Sequence, residues 1–218
     1  MAPASNAHDQ DWYSPQGLLS RLFLPLRRLG LMPDPRTRTR THSHLHLRHD
    51  PGVTAIDLAM MRRAIELAKQ AAAMDEVPVG AVVYQGSRII AEGYNLREAT
   101  CDPVTHAELL AVSKAGRALK DWRLNECSVA VTLEPCPMCA GAMVNGRVGR
   151  LLYGATDPKA GACQTLYRIT ADRRLNHQPV VIGGVLAEEC AQLLKDFFRQ
   201  RRADIRARRD GEQVRQPA

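Results

Sequence analysis

Val129-Ala130-Val131-Thr132-Leu133-Glu134-Pro135-Cys136-Pro137-Met138-Cys139 is a short buried strand that runs through a proline into a helix start carrying C-x-x-C. Cys136 to Asn145 reads as that helix, stopped at Gly146. Both sulfurs of a C-x-x-C in a first helical turn can reach one metal ion. The free N–H groups there favour the thiolate. Upstream, His106-Ala107-Glu108 stands 28 residues before Glu134. One imidazole with two thiolates suits Zn²⁺ and leaves one position open, whereas a closed structural site would need a fourth protein ligand. His106, Cys136 and Cys139 are therefore the candidate zinc ligands. If Thr105 to Ala107 form the first turn of a helix, Glu108 lies beside the same pocket as a carboxylate that need not coordinate.

Working outward, Leu58, Met61, Ile65, Ala68 and Ala72 recur at helical spacing and predict an amphipathic helix over 55–73. Pro78 to Tyr84 and Arg88 to Gly93 read as strands joined by a turn at Gln85-Gly86-Ser87. Asp102-Pro103 offers a helix start, and His106 to Leu119 reads as the helix that follows. Val148 to Tyr153 and Val180 to Ile182 are further strands. Leu186, Cys190, Leu193, Leu194 and Phe197 mark the apolar stripe of a long last helix. A helix, a hairpin and then alternating strands and helices imply an α/β fold: a mixed sheet covered on both faces. Both candidate ligand segments fall at helix starts, where ligands of open sheets gather.

Charge is unevenly placed. Residues 1–50 carry seven Arg against four Asp, residues 195–218 carry eight Lys or Arg against four acids, and the middle has fifteen of each. A basic C-terminal helix on a neutral body, with Arg201 and Arg202 among its cations, suits a polyanionic substrate gripped from one side. No run of 18 apolar residues exists, so no membrane-spanning segment is expected. Six cysteines, four of them scattered singly, make no dense disulfide framework, which fits a reducing, cytoplasmic setting. Cys127 and Cys190 read as small buried apolar residues.

Residues 1–50 contain five Pro and the cluster His42, His44, His46 and His49. They read as a disordered basic extension rather than a metal-binding tract. A targeting segment and a start site misplaced upstream of Met60 and Met61 stay open. The catalytic domain is expected over 51–211, with a tail over 212–218.

H-x-E followed by P-C-x-x-C is the known signature of zinc-dependent nucleobase deaminases. Around it, the chain resembles the bacterial tRNA-specific adenosine deaminases of the cytidine and deoxycytidylate deaminase superfamily. The resemblance runs from about Met60 to Arg209. It is carried by Glu76-Val77-Pro78-Val79-Gly80-Ala81-Val82, Gly93-Tyr94-Asn95, Asp157-Pro158-Lys159-Ala160-Gly161-Ala162, Asn176-His177 and Asp196-Phe197-Phe198-Arg199. It implies a cytidine-deaminase-like three-layer α/β/α sandwich with a five-stranded mixed sheet, a homodimer and one Zn²⁺ per subunit. It further implies hydrolytic deamination of adenosine to inosine at the wobble position of the tRNA anticodon, with an arginine tRNA stem-loop the expected partner. By the same resemblance Glu108 is the proton shuttle, Asn95 contacts substrate, the Ala107 backbone N–H faces the base, and Asp157 and Phe198 lie on the RNA surface. Thr105 before the His, and Gln164-Thr165 after the Asp157 loop, depart from the family pattern. Two other readings use the same residues: a guanine or other free-base or nucleotide deaminase, and a non-catalytic, zinc-stabilised RNA-binding partner subunit.

Overall fold

The structure is a computed structural model and describes residues 52–213. The expected extension over 1–50 and the end of the tail lie outside the described residues.

Helix α1 (Ala55–Ala73) begins at a capping box: Asp57 N donates to Thr54 Oγ1 at 3.1 Å, and Thr54 N donates to Asp57 Oδ2 at 2.9 Å. Asp57 is buried and also accepts from the Tyr84 hydroxyl and from Arg150 Nη1 at 3.1 Å. Burial alone would raise the Asp57 pKa. The bonds from Arg150, Tyr84 and Thr54 outweigh it and hold the carboxyl below its usual range. One acid thus ties the first helix to the sheet.

Strands β1 (Gly80–Gln85) and β2 (Arg88–Tyr94) form the expected hairpin, with Gly86 at a φ of 55° in its turn. A single helical turn, α2 (Arg97–Thr100), follows; the helical spacing of the sequence gives no sign of so short an element. Helix α3 (Ala107–Leu119), strand β3 (Ser128–Leu133), helix α4 (Pro137–Asn145) and strand β4 (Arg150–Ala155) come next. A 3₁₀ turn at Ile169–Ala171, strand β5 (Val180–Ile182) and helix α5 (Ala187–Gln213) complete the order. The sheet order is β2-β1-β3-β4-β5. β1 is antiparallel to both neighbours, while β3, β4 and β5 are parallel. The five-stranded mixed sheet is the one the sequence implied.

Side chains alternate across it with the strand period of two. Ala81, Val83, Val129, Val131, Leu151 and Tyr153 enter the core beneath α3 and α4. Val82, Tyr84, Ala130 and Leu152 enter the core beneath α1 and α5, with Met61 and Cys190. Two glycines bring helices unusually close. A Cβ on Gly80 would overlap the Ala64 carbonyl of α1, and one on Gly93 would overlap the Ala107 carbonyl of α3. Among the described residues no helix is long and apolar enough to cross a membrane.

Candidate active site

The two halves of the site meet at helix starts. His106 is the N-cap of α3, and Cys136 is the N-cap of α4, just beyond the end of β3. Cys139 is the third helical residue of α4. Neither N-cap side chain caps its own helix, so both remain available as ligands. His106 Nδ1 lies 3.7 Å from Cys136 Sγ and 3.6 Å from Cys139 Sγ. All three ligand atoms fall within 4.8 Å of one another. A tetrahedral zinc with bonds of about 2.3 Å to sulfur and about 2.0–2.1 Å to nitrogen sets N and S about 3.6 Å apart. The donor triangle therefore fits Zn²⁺ in both chemistry and size.

The charge state fits too. Cys136 is pulled down to about 4, first by a hydrogen bond from the Cys139 thiol and then by His106, against the opposing effect of burial. The neighbouring Cys136 and burial push the Cys139 thiol up. The bond with Cys136 raises His106, with burial and Arg97 opposing.

Glu108, in the first turn of α3, is only 4% exposed. Burial pushes its pKa above the usual carboxylate range. It lines a cavity of about 210 Å³ together with Val77, Asn95, Arg97, Ala107 and Asp157. Ala107 occupies the first helical position, where a backbone N–H has no acceptor within its own helix. Asn95 donates through Nδ2 to Glu76 at 3.1 Å, which leaves its Oδ1 and second N–H for the cavity.

One expectation needs correction. Thr105 does not open the helix, and Asp102-Pro103 is not a helix start. Asp102 Oδ1 instead accepts from Val104 N at 3.0 Å, closing a tight turn. The Thr105 hydroxyl donates to the Asp102 carbonyl at 2.9 Å, so helix geometry begins at Ala107.

Two buried acids have structural tasks that the sequence did not disclose. Glu134 is 1% exposed and sits between β3 and Cys136. It accepts from the backbone N–H groups of Asp157 (3.2 Å), Cys163 (3.2 Å), Gln164 (2.7 Å) and Thr165 (3.0 Å), and from the Thr165 hydroxyl. It thereby fastens the 157–165 loop, one wall of the cavity, to the segment that carries the candidate ligand Cys136. The Gln164-Thr165 departure is accommodated: Gln164 accepts from the Tyr153 hydroxyl, and Thr165 contributes to Glu134. Glu76, fully buried, bonds Asn95 and also accepts from Ala99 N at 2.7 Å.

Glu134→Gln should cost about 3 kcal/mol, because an amide N–H₂ would face N–H donors in place of a carboxylate. Burial would raise the Glu134 pKa, but its donors keep it low. The stabilisation is therefore present at neutral pH and lost as pH falls through the lowered value. Urea unfolding at two pH values checks this: the two proteins should differ at pH 7 and converge in acid. A difference below about 1 kcal/mol at pH 7 would mean that charge does not hold the loop.

The remaining expected residues are spread out. Asp157 borders the cavity, and its Oδ1 accepts from Lys159 N at 2.8 Å. Phe198 is 43% exposed and lines a separate groove with Lys159, Leu194, Lys195 and Arg202. Arg201 lies on another side of α5, 3.8 Å from Asp75. Arg201 and Arg202 therefore have different surroundings. Cys127 and Cys190 are buried, as expected.

The comparisons agree with this geometry. The family model of MafB19-like deaminases matches residues 56–202. A tRNA-specific adenosine deaminase of Bacillus subtilis is 46% identical over 153 residues, covering 70% of this chain and 95% of the relative. The enzyme of the same description from Haemophilus influenzae is 46% identical over 149 residues, covering 68% of this chain and 86% of the relative. A structure from a study of A-to-I editing by tRNA:A34 deaminases at the wobble position of transfer RNA superposes with a TM-score of 0.60 at 39% identity, covering 62% of this chain and 99% of that one. A guanine deaminase from Nitrosomonas europaea superposes with a TM-score of 0.58 at 25% identity, covering 68% of this chain and 88% of that one. With this fold, this site and these matches, the chain belongs to the family of the tRNA-specific adenosine deaminases.

Proposed function

We propose that this protein is a zinc-dependent enzyme that hydrolyses adenosine to inosine and ammonia at the wobble position of a tRNA anticodon. The observation that carries the reading is the His106, Cys136 and Cys139 triangle with the buried, non-coordinating Glu108 in one small cavity. Zinc held by those three residues would supply acidified water as the nucleophile at neutral pH. Glu108, kept protonatable by burial, would carry one proton of the attacking water to N1 of the adenine and then the second, from the new C6 hydroxyl, to the leaving amine. Asn95, fixed by Glu76, orients the base, while the Ala107 N–H offers a donor. The cavity admits one base rather than a helix of RNA, so the target must leave its stack. That costs least in a single-stranded loop. Cytoplasmic action as a homodimer, with an arginine tRNA as substrate, completes the proposal.

Guanine deamination is the second reading, since guanine deaminases share the fold. The basic groove of Lys159, Lys195 and Arg202 beside the exposed Phe198 favours a nucleic acid over a neutral base. A non-catalytic role gives no reason for a buried Glu108 beside the donor triangle.

The test is inosine formation on an arginine tRNA anticodon stem-loop, with free adenosine and guanine as controls. The stem-loop should react and free adenosine should not; preferential turnover of guanine would overturn the tRNA reading. Binding should weaken steeply with salt, and Arg202→Ala should lower the salt slope by about one. Arg201→Ala measures the same quantity on the Asp75 side of the helix. If both variants bind normally at every salt concentration, the basic end of α5 is a solvated helix end.

A further inference from the structure

Among the described residues that line the catalytic cavity, Arg97 is the one Lys or Arg. It opens the single turn α2, two residues after Asn95, and its side chain is exposed. The backbone around it is held from within. Buried Glu76 grips Asn95 on one side of Arg97 and the Ala99 N–H on the other. The Leu96 N–H donates to the Thr105 carbonyl at 3.1 Å, and Asp102 N returns to the Arg97 carbonyl at 3.3 Å. The guanidinium itself has no ion pair or hydrogen bond among the described residues. The result is a fixed stem with an unengaged cation at the rim of the cavity.

Two acids of the lining, Glu134 and Asp157, are already engaged. Glu134 is consumed by its five donors, and Asp157 accepts from Lys159 N. A base seated against Asn95 and Glu108 leaves its ribose and the two flanking phosphodiesters at the mouth. A free base or nucleoside brings no phosphate there. An arginine fork is suited to bonding phosphate oxygens in pairs.

We propose that Arg97 is a specificity-determining residue that binds a phosphodiester flanking the target adenosine, so that chain-embedded adenosine is favoured over free base or nucleoside. This rests on the tRNA reading above.

The experiment uses the full-length, zinc-loaded protein, its Arg97→Ala and Arg97→Lys variants, and the anticodon stem-loop. Two further stem-loops each carry one uncharged methylphosphonate, at the linkage 5′ or 3′ of the target. Arg97→Ala should raise the Kd for the unmodified RNA about tenfold and lower the salt slope by about one. The single-turnover rate at saturating RNA should change by less than about threefold, because Arg97 handles no transferred proton. One of the two methylphosphonates should weaken wild-type binding by a similar factor and leave Arg97→Ala unaffected. Arg97→Lys should restore the slope but only part of the affinity, since it keeps the charge without the fork. A merely structural role would lower affinity without cancelling the effect of one particular linkage. Equal sensitivity of Arg97→Ala and wild type to both methylphosphonates, or an unchanged salt slope, would overturn the inference while leaving the tRNA reading intact. Failure of the wild type to deaminate the unmodified stem-loop would overturn both.

Discussion

Glu108→Ala should keep its zinc and its fold and lose at least about 10²–10⁴-fold in turnover, the usual worth of general acid–base catalysis. The expected loss is large because nothing else in the cavity can take over. Glu134 is tied up by its donors, and Asp157 is engaged in its own loop turn. Glu108 alone combines near-complete burial, a raised pKa and a place beside the donor triangle without joining it. The measurement is single-turnover inosine formation alongside zinc content. Glu108→Gln, which preserves shape but cannot shuttle protons, should be equally impaired. Activity within about tenfold of wild type in either variant would remove Glu108 from the shuttle role.

Cys136→Ala should lose the metal rather than only the chemistry. Cys136 is the proposed ligand whose thiolate forms most readily, at about 4, and it is the N-cap of α4. Removing it leaves His106 and Cys139, two ligands on two helices. Altering mere supports of a metal site weakens binding about 10–100-fold, so deleting a ligand should exceed that. Because bound metal stabilises only the folded state, the melting temperature should also fall and should no longer respond to added zinc. Elemental analysis showing one zinc per chain in this variant would refute the ligand assignment.

Much of this was legible in the sequence. Periodicity placed α1 over the same residues that the structure shows, and the apolar run Val180 to Ile182 coincides with β5. The clustering of His106, Cys136 and Cys139 with Glu108 beside them was legible because metal chemistry restricts both residue type and spacing. The start of α3 was not. Asp-Pro opens helices and tight turns alike, and the choice was made by the Asp102 carboxylate closing on Val104 and by Thr105 bonding backward. The order of strands was also hidden, because pairing of β1 with β3 joins segments far apart in the chain. Glu76 and Glu134 are quiet in sequence for a related reason. An acid beside an apolar strand gives no hint of which N–H groups it will meet, and these two meet donors up to 31 residues away. Arg97 lies in an element too short to have a period.

Gly80 and Gly93 press the two helical layers onto opposite faces of the same hairpin, with no methyl group to spare. Ala64 and Ala68 answer one glycine, and Ala107 and Ala111 the other, all without exposed surface. Such a seam has almost no compressibility, so a single added carbon would displace a whole helix rather than a side chain. On the Gly93 side that helix carries His106 at its cap and Glu108 in its first turn. The walls of the pocket therefore differ in how they can diverge between relatives. The hairpin and α3 admit almost no change in size, while the 157–165 loop and the α2 turn can vary in side chain provided that their buried acids stay paired. New substrate preferences in this scaffold should arise by exchanging those loops, with the glycine seam left untouched.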